Sequence, residues 1–197
     1  NLTMTKEGIN VLMTNLTGKV PPILQRLDYI RFNGEAAGYL HDLTLTGLFH
    51  TGAGMVKTDV MMSIDEQSMS RTYSGSVASA DLDLGKLLNQ EKKFGKVDFN
   101  VELKGFNYKN RYPESYIKGI ISSFEYSQYQ YENIMLDGVY KDGGFNGRLS
   151  MDDANGSVQI DGNFNVAKTI PDFNLKASVK NLRPHVLHLS DKYENAS

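Results

Sequence analysis

From Lys96 the chain reads KVDFNVELK, and every second residue is apolar: Val97, Phe99, Val101 and Leu103 fall on one side of an extended segment, Asp98, Asn100 and Glu102 on the other. Side chains of a strand alternate between two faces, so a period of two predicts a half-buried β-strand and argues against a helix, whose apolar residues recur every three or four positions. The pattern returns near the C-terminal end in NGSVQIDGNFNVAKTIPDFNLKASVK. There Val158, Ile160, Phe164 and Val166 share one side with Gln159 and Asn163 opposite, and Phe173, Leu175, Ala177 and Val179 share one side of the next strand with Lys176 opposite. Further strands are expected at about 29–34, 39–50, 55–64, 72–80, 115–126, 131–141, 144–152, 156–166 and 172–181. Between them, HTGAG, KDGG, DANG and TIPD supply the Gly, Asn, Asp and Pro that tight turns use, which makes chain neighbours antiparallel neighbours.

Helical pattern is confined to TKEGINVLM, PPILQRL, DLDLGKLL and LRPHVLHL, each long enough for one to three turns. These segments punctuate an internal repeat. YSGSVASADLDLGKLL at Tyr73–Leu88 aligns with FNLKASVKNLRPHVLH at Phe173–His188, placing Tyr73 over Phe173, Leu82 over Leu182 and Leu87 over Leu187. Upstream, LTLTGLFHTG from Leu43 aligns with IMLDGVYKDG from Ile134, and LDYIRFNGEA from Leu27 with FGKVDFNVEL from Phe94. Repeated strand modules closed by a helical turn are how stacked, elongated architectures are encoded. The expected division is 1–22 as the end of a preceding module and a linker, 23–92 as a first strand module and 93–197 as a second, all within one continuous β-domain.

Charge and composition remove several classes of function. Lys and Arg number 21 against 23 Asp and Glu, so there is no basic footprint for nucleic acid. Cysteine is absent, and with it disulfides, thiolate metal sites and cysteine nucleophiles. No apolar run reaches the roughly 18 residues of a membrane helix. Four N-x-S/T tripeptides begin at Asn1, Asn15, Asn155 and Asn195, and Asn155 lies in a turn signal.

Candidate chemical motifs read more simply as structure. MDDANGSVQID places Asp153, Asn155 and Gly156 as a calcium loop would, but Met151 stands where the first ligand belongs and Gly162 where the bidentate Glu belongs. His185 and His188 have no third metal ligand nearby, and Pro184 points to a capped turn. GEAAG (Gly34 to Gly38) and TGAG (Gly52, Gly54) lack the Lys-Ser/Thr of a phosphate loop and are expected to be turns or bulges. Asp81, Asp83, Asp152 and Asp153 flank turns and read as solvated caps. No Ser, His and Asp grouping has a nucleophile context, so no catalytic residue, metal or cofactor is expected. The segment around Tyr126, Tyr129 and Tyr131 is the one aromatic-rich surface candidate, for a sugar or a protein partner.

Three stretches together resemble the TamB proteins of the AsmA-like, bridge-like superfamily, in their Bacteroides-type form. They are ILQRLDYIRFNGEAAGYLHDLTLTGLFHTGAGMVKTDVMM, YSGSVASADLDLGKLL and FNGRLSMDDANGSVQIDGNFNVAKTIPDFNLKASVKNLRPHVLHL, covering about residues 23–190. The resemblance implies an elongated, mainly antiparallel sheet curled into a hydrophobic groove. It also implies an excerpt of a periplasmic chain, with an inner-membrane anchor before it and, after it, a region that meets an outer-membrane barrel protein. The implied role is carrying phospholipid between the membranes or assisting outer-membrane protein assembly.

The expected fold is thus all-β, an open groove with short helical turns between modules, with a closed β-sandwich as the alternative. The lipid-facing residues are expected to be Val97, Phe99, Val101, Leu103, Val158, Ile160, Phe164, Val166, Phe173, Leu175 and Val179, with Asn100, Glu102, Gln159, Asn163 and Lys176 facing water. A sheet that grows by adding strands of one chain is expected to be monomeric and elongated. The rival readings are a secreted β-sandwich that binds glycan or protein through its tyrosines, and a spacer whose apolar face is merely core.

Overall fold

The computed structural model describes residues 2–17, 20, 22–39, 41–65, 67–68, 70–107, 114–165 and 171–188. Eleven strands form a single antiparallel sheet: β1 (Leu2–Thr5), β2 (Tyr29–Tyr39), β3 (Asp42–Thr51), β4 (Gly54–Asp65), β5 (Ser70–Asp83), β6 (Phe94–Asn107), β7 (Glu114–Tyr126), β8 (Tyr129–Lys141), β9 (Gly144–Asp153), β10 (Gly156–Asn165) and β11 (Asp172–Lys180). Spatial order equals chain order, and the sheet does not close on itself. The fold is the open all-β sheet expected, not a sandwich. At 4.7–4.9 Å between strands, it extends about 48 Å from first strand to last.

Among the described residues, two helices, α1 (Lys6–Thr17) and α2 (Leu84–Leu88), and a 3-10 turn at Leu24–Arg26 lie at one edge of the sheet, where β2 begins and β5 ends. We call this the lower edge. Asp83 caps α2, accepting from the Lys86 amide at 2.9 Å, and Asn89 ends it in the left-handed conformation. The last segment, expected as helical, is a run of turns at 184–188.

The repeat is visible in detail at these lower-edge turns. Asp81 and Asn181 both have positive φ, at 59° and 49°. The Asp83 amide donates to Ala53 O at 2.7 Å and the Arg183 amide to Asn155 O at 2.9 Å. Leu87 and Leu187 are both buried, and each carbonyl accepts from a side chain upstream: Leu87 O from Arg26 Nη1 and Leu187 O from Tyr131 Oη, both at 2.6 Å. The upstream alignment needs one correction. β3 runs down to the lower edge and β8 away from it, so LTLTGLFHTG and IMLDGVYKDG lie on strands of opposite direction. Four strands (β2–β5) precede the first closing turn and six (β6–β11) the second; the difference is a whole extra hairpin instead of longer loops.

Two expectations about local structure also change. Leu2–Thr5 pairs with Tyr29–Phe32 as a strand that the sequence pattern did not announce. GEAAG is no turn: Gly34–Gly38 continues β2 opposite Leu43–Gly47. HTGAG, KDGG and DANG do turn, whereas the first half of TIPD, Thr169 and Ile170, lies outside the described residues.

Register carries the apolar faces of successive strands into rows that cross the whole sheet. One row reads Phe32, Phe49, Val56, Ser79, Phe99, Ile121, Ile134, Met151, Val158, Val179. Another reads Ala36, Leu45, Val60, Gly75, Leu103, Ile117, Gly138, Gly147, Gly162, Leu175. The glycines in such rows mark close backbone approach. A Cβ on Gly147 would stand 2.3 Å from Asp137 O and 2.5 Å from Gly138 Cα, and one on Gly34 would stand 2.3 Å from Thr46 O. Leaving out Cβ atoms on this side lets the sheet curl toward it. Aromatic rings fill part of the space: Tyr73 lies over Gly105 and reaches the Ser115 hydroxyl.

A β-bulge keeps the lower end in phase. Ser79 pairs with Phe99 but Leu82 with Val97, so β5 carries one residue more than β6 there: Ala80 still pairs with Met55, Asp81 is extruded and Leu82 returns to the apolar face. Lys96 Nζ meets the extruded Asp81 at 3.1 Å.

Candidate functional site: an apolar trough

Two small cores close the lower end of the apolar face. In the first, Ile9 of α1, Leu27 and Leu87 pack on Ile30, Leu82 and Val97. In the second, Leu187 is fully buried against Tyr131 and Met151. Above these cores, among the described residues, no helix or second sheet packs on the strands. The apolar face is therefore floored along one edge and open over the rest.

Where the first core thins, Met4, Ile9, Leu24, Ile30, Leu45, Phe49, Val56, Leu82 and Leu87 line a cavity of about 560 Å³. Its wall is almost wholly carbon, with the Thr51 residue the one hydroxyl-bearing member. A volume of this order suits a small-molecule ligand, and a wall whose one hydroxyl already donates to Gly54 O suits an aliphatic one.

The opposite face carries charge. One row crosses it as Glu35, Thr46, Asp59, Ser76, Glu102, Lys118, Asp137, Arg148, Asp161, Lys176. From Glu102 onward the sign alternates at every strand. Lys118 Nζ lies 3.8 Å from Asp137, Arg148 Nε 2.6 Å from Asp161, and in the next row but one Lys141 Nζ lies 2.7 Å from Glu114. Exposed pairs of this kind contribute little individually. Their value is in register, because a slip by one strand residue would carry the charges onto the apolar face. Shallow hollows of about 620 and 560 Å³ also lie on this side, lined by exposed groups such as Lys104, Glu114 and Tyr116, and Lys118, Asp137 and Arg148. They are dips in a twisted sheet, which is concave along different directions on its two faces.

Asp161 illustrates the local electrostatics. Gln159 Nε2 donates to one oxygen at 2.7 Å and Arg148 Nε to the other at 2.6 Å. The Gln159 bond first, then the Arg148 bond, hold its carboxyl below the ordinary carboxylate range. A folded pKa below the unfolded one means that the carboxylate favours folding above the unfolded value, and that this contribution disappears as pH falls through the folded value. Gln159→Leu should move the Asp161 pKa back up toward its ordinary value in a carboxyl NMR titration; an unchanged midpoint would count against the assigned bond.

The sequence-expected lining residues fall on one face. Val97, Phe99, Val101 and Leu103 of β6, Val158, Ile160 and Phe164 of β10, and Phe173, Leu175 and Val179 of β11 all belong to the apolar rows. Val97 is buried in the floor, Phe99, Val101, Leu103, Val158 and Ile160 are half-buried, and Phe164, Phe173, Leu175 and Val179 are exposed. Val166 lies outside the described residues. Asn100, Glu102, Gln159, Asn163 and Lys176 lie on the charged face.

No family model, no curated protein and no solved structure matches the chain.

Three features escaped the sequence reading: the carbon-lined cavity, the alternating charge row and the glycine row. Each needs register across many strands, and none shows in a single segment. The tyrosine cluster, considered as a binding surface, is engaged within the fold. Tyr131 Oη bonds Leu187 O, Tyr129 Oη bonds Asp153, and Tyr126 packs on Phe94 and Phe124. His188 contributes to the same end, its Nδ1 lying 2.6 Å from Ser127 O.

Proposed function

We propose that the apolar face is a bed for lipid acyl chains, in a non-catalytic protein of the bacterial envelope. The observation that carries this reading is the continuity of apolar rows across the sheet with, among the described residues, no second layer over their upper part. Exposing a chain of about sixteen carbons to water costs on the order of 13 kcal/mol at roughly 0.8 kcal/mol per methylene. A lined trough removes most of that cost without a metal, a cofactor or a reacting group. An acyl chain spans half of a hydrocarbon core about 30 Å thick. A sheet about 48 Å long offers space for roughly three such chains end to end.

The resemblance to TamB-type proteins makes phospholipid the proposed cargo and the periplasm the proposed location. Passage between inner and outer membranes is the proposed task, with assistance to outer-membrane protein assembly as its variant and contact with a barrel protein through regions outside these residues. The glycan-binding alternative is weakened because Tyr126, Tyr129 and Tyr131 are occupied in packing and hydrogen bonding.

The test places a photo-crosslinking residue at Phe99, Asn100, Asn163 and Phe164 in turn, in living bacteria. Phospholipid is expected on Phe99 and Phe164 and not on Asn100 or Asn163, which lie on the other face. Equal labelling of both faces, or none while the protein stays folded, would move the apolar face to the role of a plain core.

A further inference from the structure

β11 ends the sheet with one side open: β10 pairs with one edge of it and, among the described residues, no strand pairs with the other. All nine of its residues are exposed, and on the apolar face Phe173, Leu175 and Val179 stand 69%, 42% and 51% accessible. Its counterpart in the fold is β5, the other strand that runs down into a closing turn, and equivalent positions lie 100 residues apart, as Asp81 and Asn181 or Leu87 and Leu187 show. The matching side of β5 is filled by β6.

The β5–β6 register therefore specifies what the open side of β11 is shaped to receive. Ser76 faces Glu102, Val77 faces Val101, Gly75 faces Leu103 and Tyr73 faces Gly105. The same positions of β11 are Lys176, Ala177, Leu175 and Phe173. A strand of β6 pattern laid there sets a carboxylate opposite Lys176, which continues the alternation Glu102, Lys118, Asp137, Arg148, Asp161, Lys176 by one step. It also sets a glycine beside Phe173, as Gly105 lies under the Tyr73 ring, and apolar side chains beside Leu175 and Ala177.

We propose that the open side of β11 is an acceptor for an incoming polypeptide strand. That strand runs antiparallel to β11, alternates apolar and polar residues, and carries an acidic residue opposite Lys176 and a glycine opposite Phe173. The backbone edge supplies the hydrogen bonds, and Lys176 and Phe173 supply the selectivity, as in other strand-addition sites.

The probe is a fluorescein-labelled peptide of the β6 sequence, Phe94–Asn107, titrated into the 197-residue chain while amide hydrogen exchange is followed by mass spectrometry. Saturable binding with slowed exchange at 172–180 is expected. Reversing one charge, Glu102→Lys in the peptide or Lys176→Glu in the chain, should weaken binding about fivefold, since an attractive cross-strand pair becomes a repulsive one. Combining the two reversals should restore it, and Gly105→Val in the peptide should abolish it. A second format appends the same fourteen residues after Ser197 through a Gly/Ser linker, which raises the effective concentration to the order of millimolar. Unprotected 172–180 in the tethered chain, or binding indifferent to both charge reversals, overturns the proposal. Protection of 172–180 that rises with protein concentration and no peptide also overturns it, assigning the edge to a second copy of the chain.

Discussion

Leu187→Ala should lower stability by about 2–5 kcal/mol, the range for removing a fully enclosed leucine. Leu187 has no exposed surface, and its carbonyl holds the Tyr131 hydroxyl, whose pKa is raised chiefly by burial. Cutting the side chain to Ala leaves a hole between the last turn and β8–β9, so the turn loosens and Tyr131 loses its partner. Leu87→Ala should act in the same way on the first core. Urea unfolding gives the total effect, and hydrogen exchange locates it. Leu187→Ala should speed exchange around Tyr129–Tyr131 and leave β2–β4 as before. A loss below about 0.5 kcal/mol, the level of an ordinary surface change, would mean that the turn does not close the sheet as described.

Leu136→Asp should cut phospholipid recovered with the purified chain at least about tenfold, because a carboxylate in an apolar bed must lose its hydration or bring water with it. Leu136 stands mid-sheet on the apolar face, between Gly119 and Leu149. Met135→Asp is the control: the same charge one residue earlier, on the charged face, where Met135 is already 53% exposed. It should leave recovered lipid unchanged. The measurement is native mass spectrometry with lipid extraction above pH 8, so that a carboxyl with a burial-raised pKa is still ionised. Circular dichroism establishes that both variants keep their strands. Equal loss in both, or no loss in either, would remove the apolar face from lipid handling.

The faces of β6, β10 and β11 were legible in the sequence because alternation there is uninterrupted, and period two leaves one choice of side per strand. β2 was legible only to Gly34. Its upper half is built from Gly34, Ala36 and Gly38, and the small residues that permit close approach to β3 look, in one dimension, like a turn. β1 offers four residues to a pattern search and takes its identity from β2, a tertiary partner. Around Ala80 and Asp81 the alternation breaks, and only the positive φ of Asp81 shows that the break is a bulge that restores Leu82 to the apolar side. The charge row is invisible in any single strand: Glu102, Lys118, Asp137, Arg148, Asp161 and Lys176 are unremarkable polar residues until register aligns them. The closing turns were found through Leu82, Leu87, Leu182 and Leu187, but the extra hairpin of the second module was not, because hairpins of the same alternating pattern are interchangeable in an alignment by eye.

Among the described residues, every strand pairs only with its neighbours in chain order. Such a sheet can form in the order in which it is synthesised. From β2 onward each new strand finds its partner already in place one short connection upstream, so little loop-closure entropy separates one pairing from the next, and a low contact order favours rapid folding. The long-range steps are few and come late. Leu87 must meet Arg26 after β5, and Leu187 must meet Tyr131 after β11. Each closing turn thus acts as a clasp fastened after its strands have zipped, four in the first case and six in the second. A chain that emerges gradually need never hold a long unpaired stretch, and the edge at which the sheet grows is always that of its newest strand.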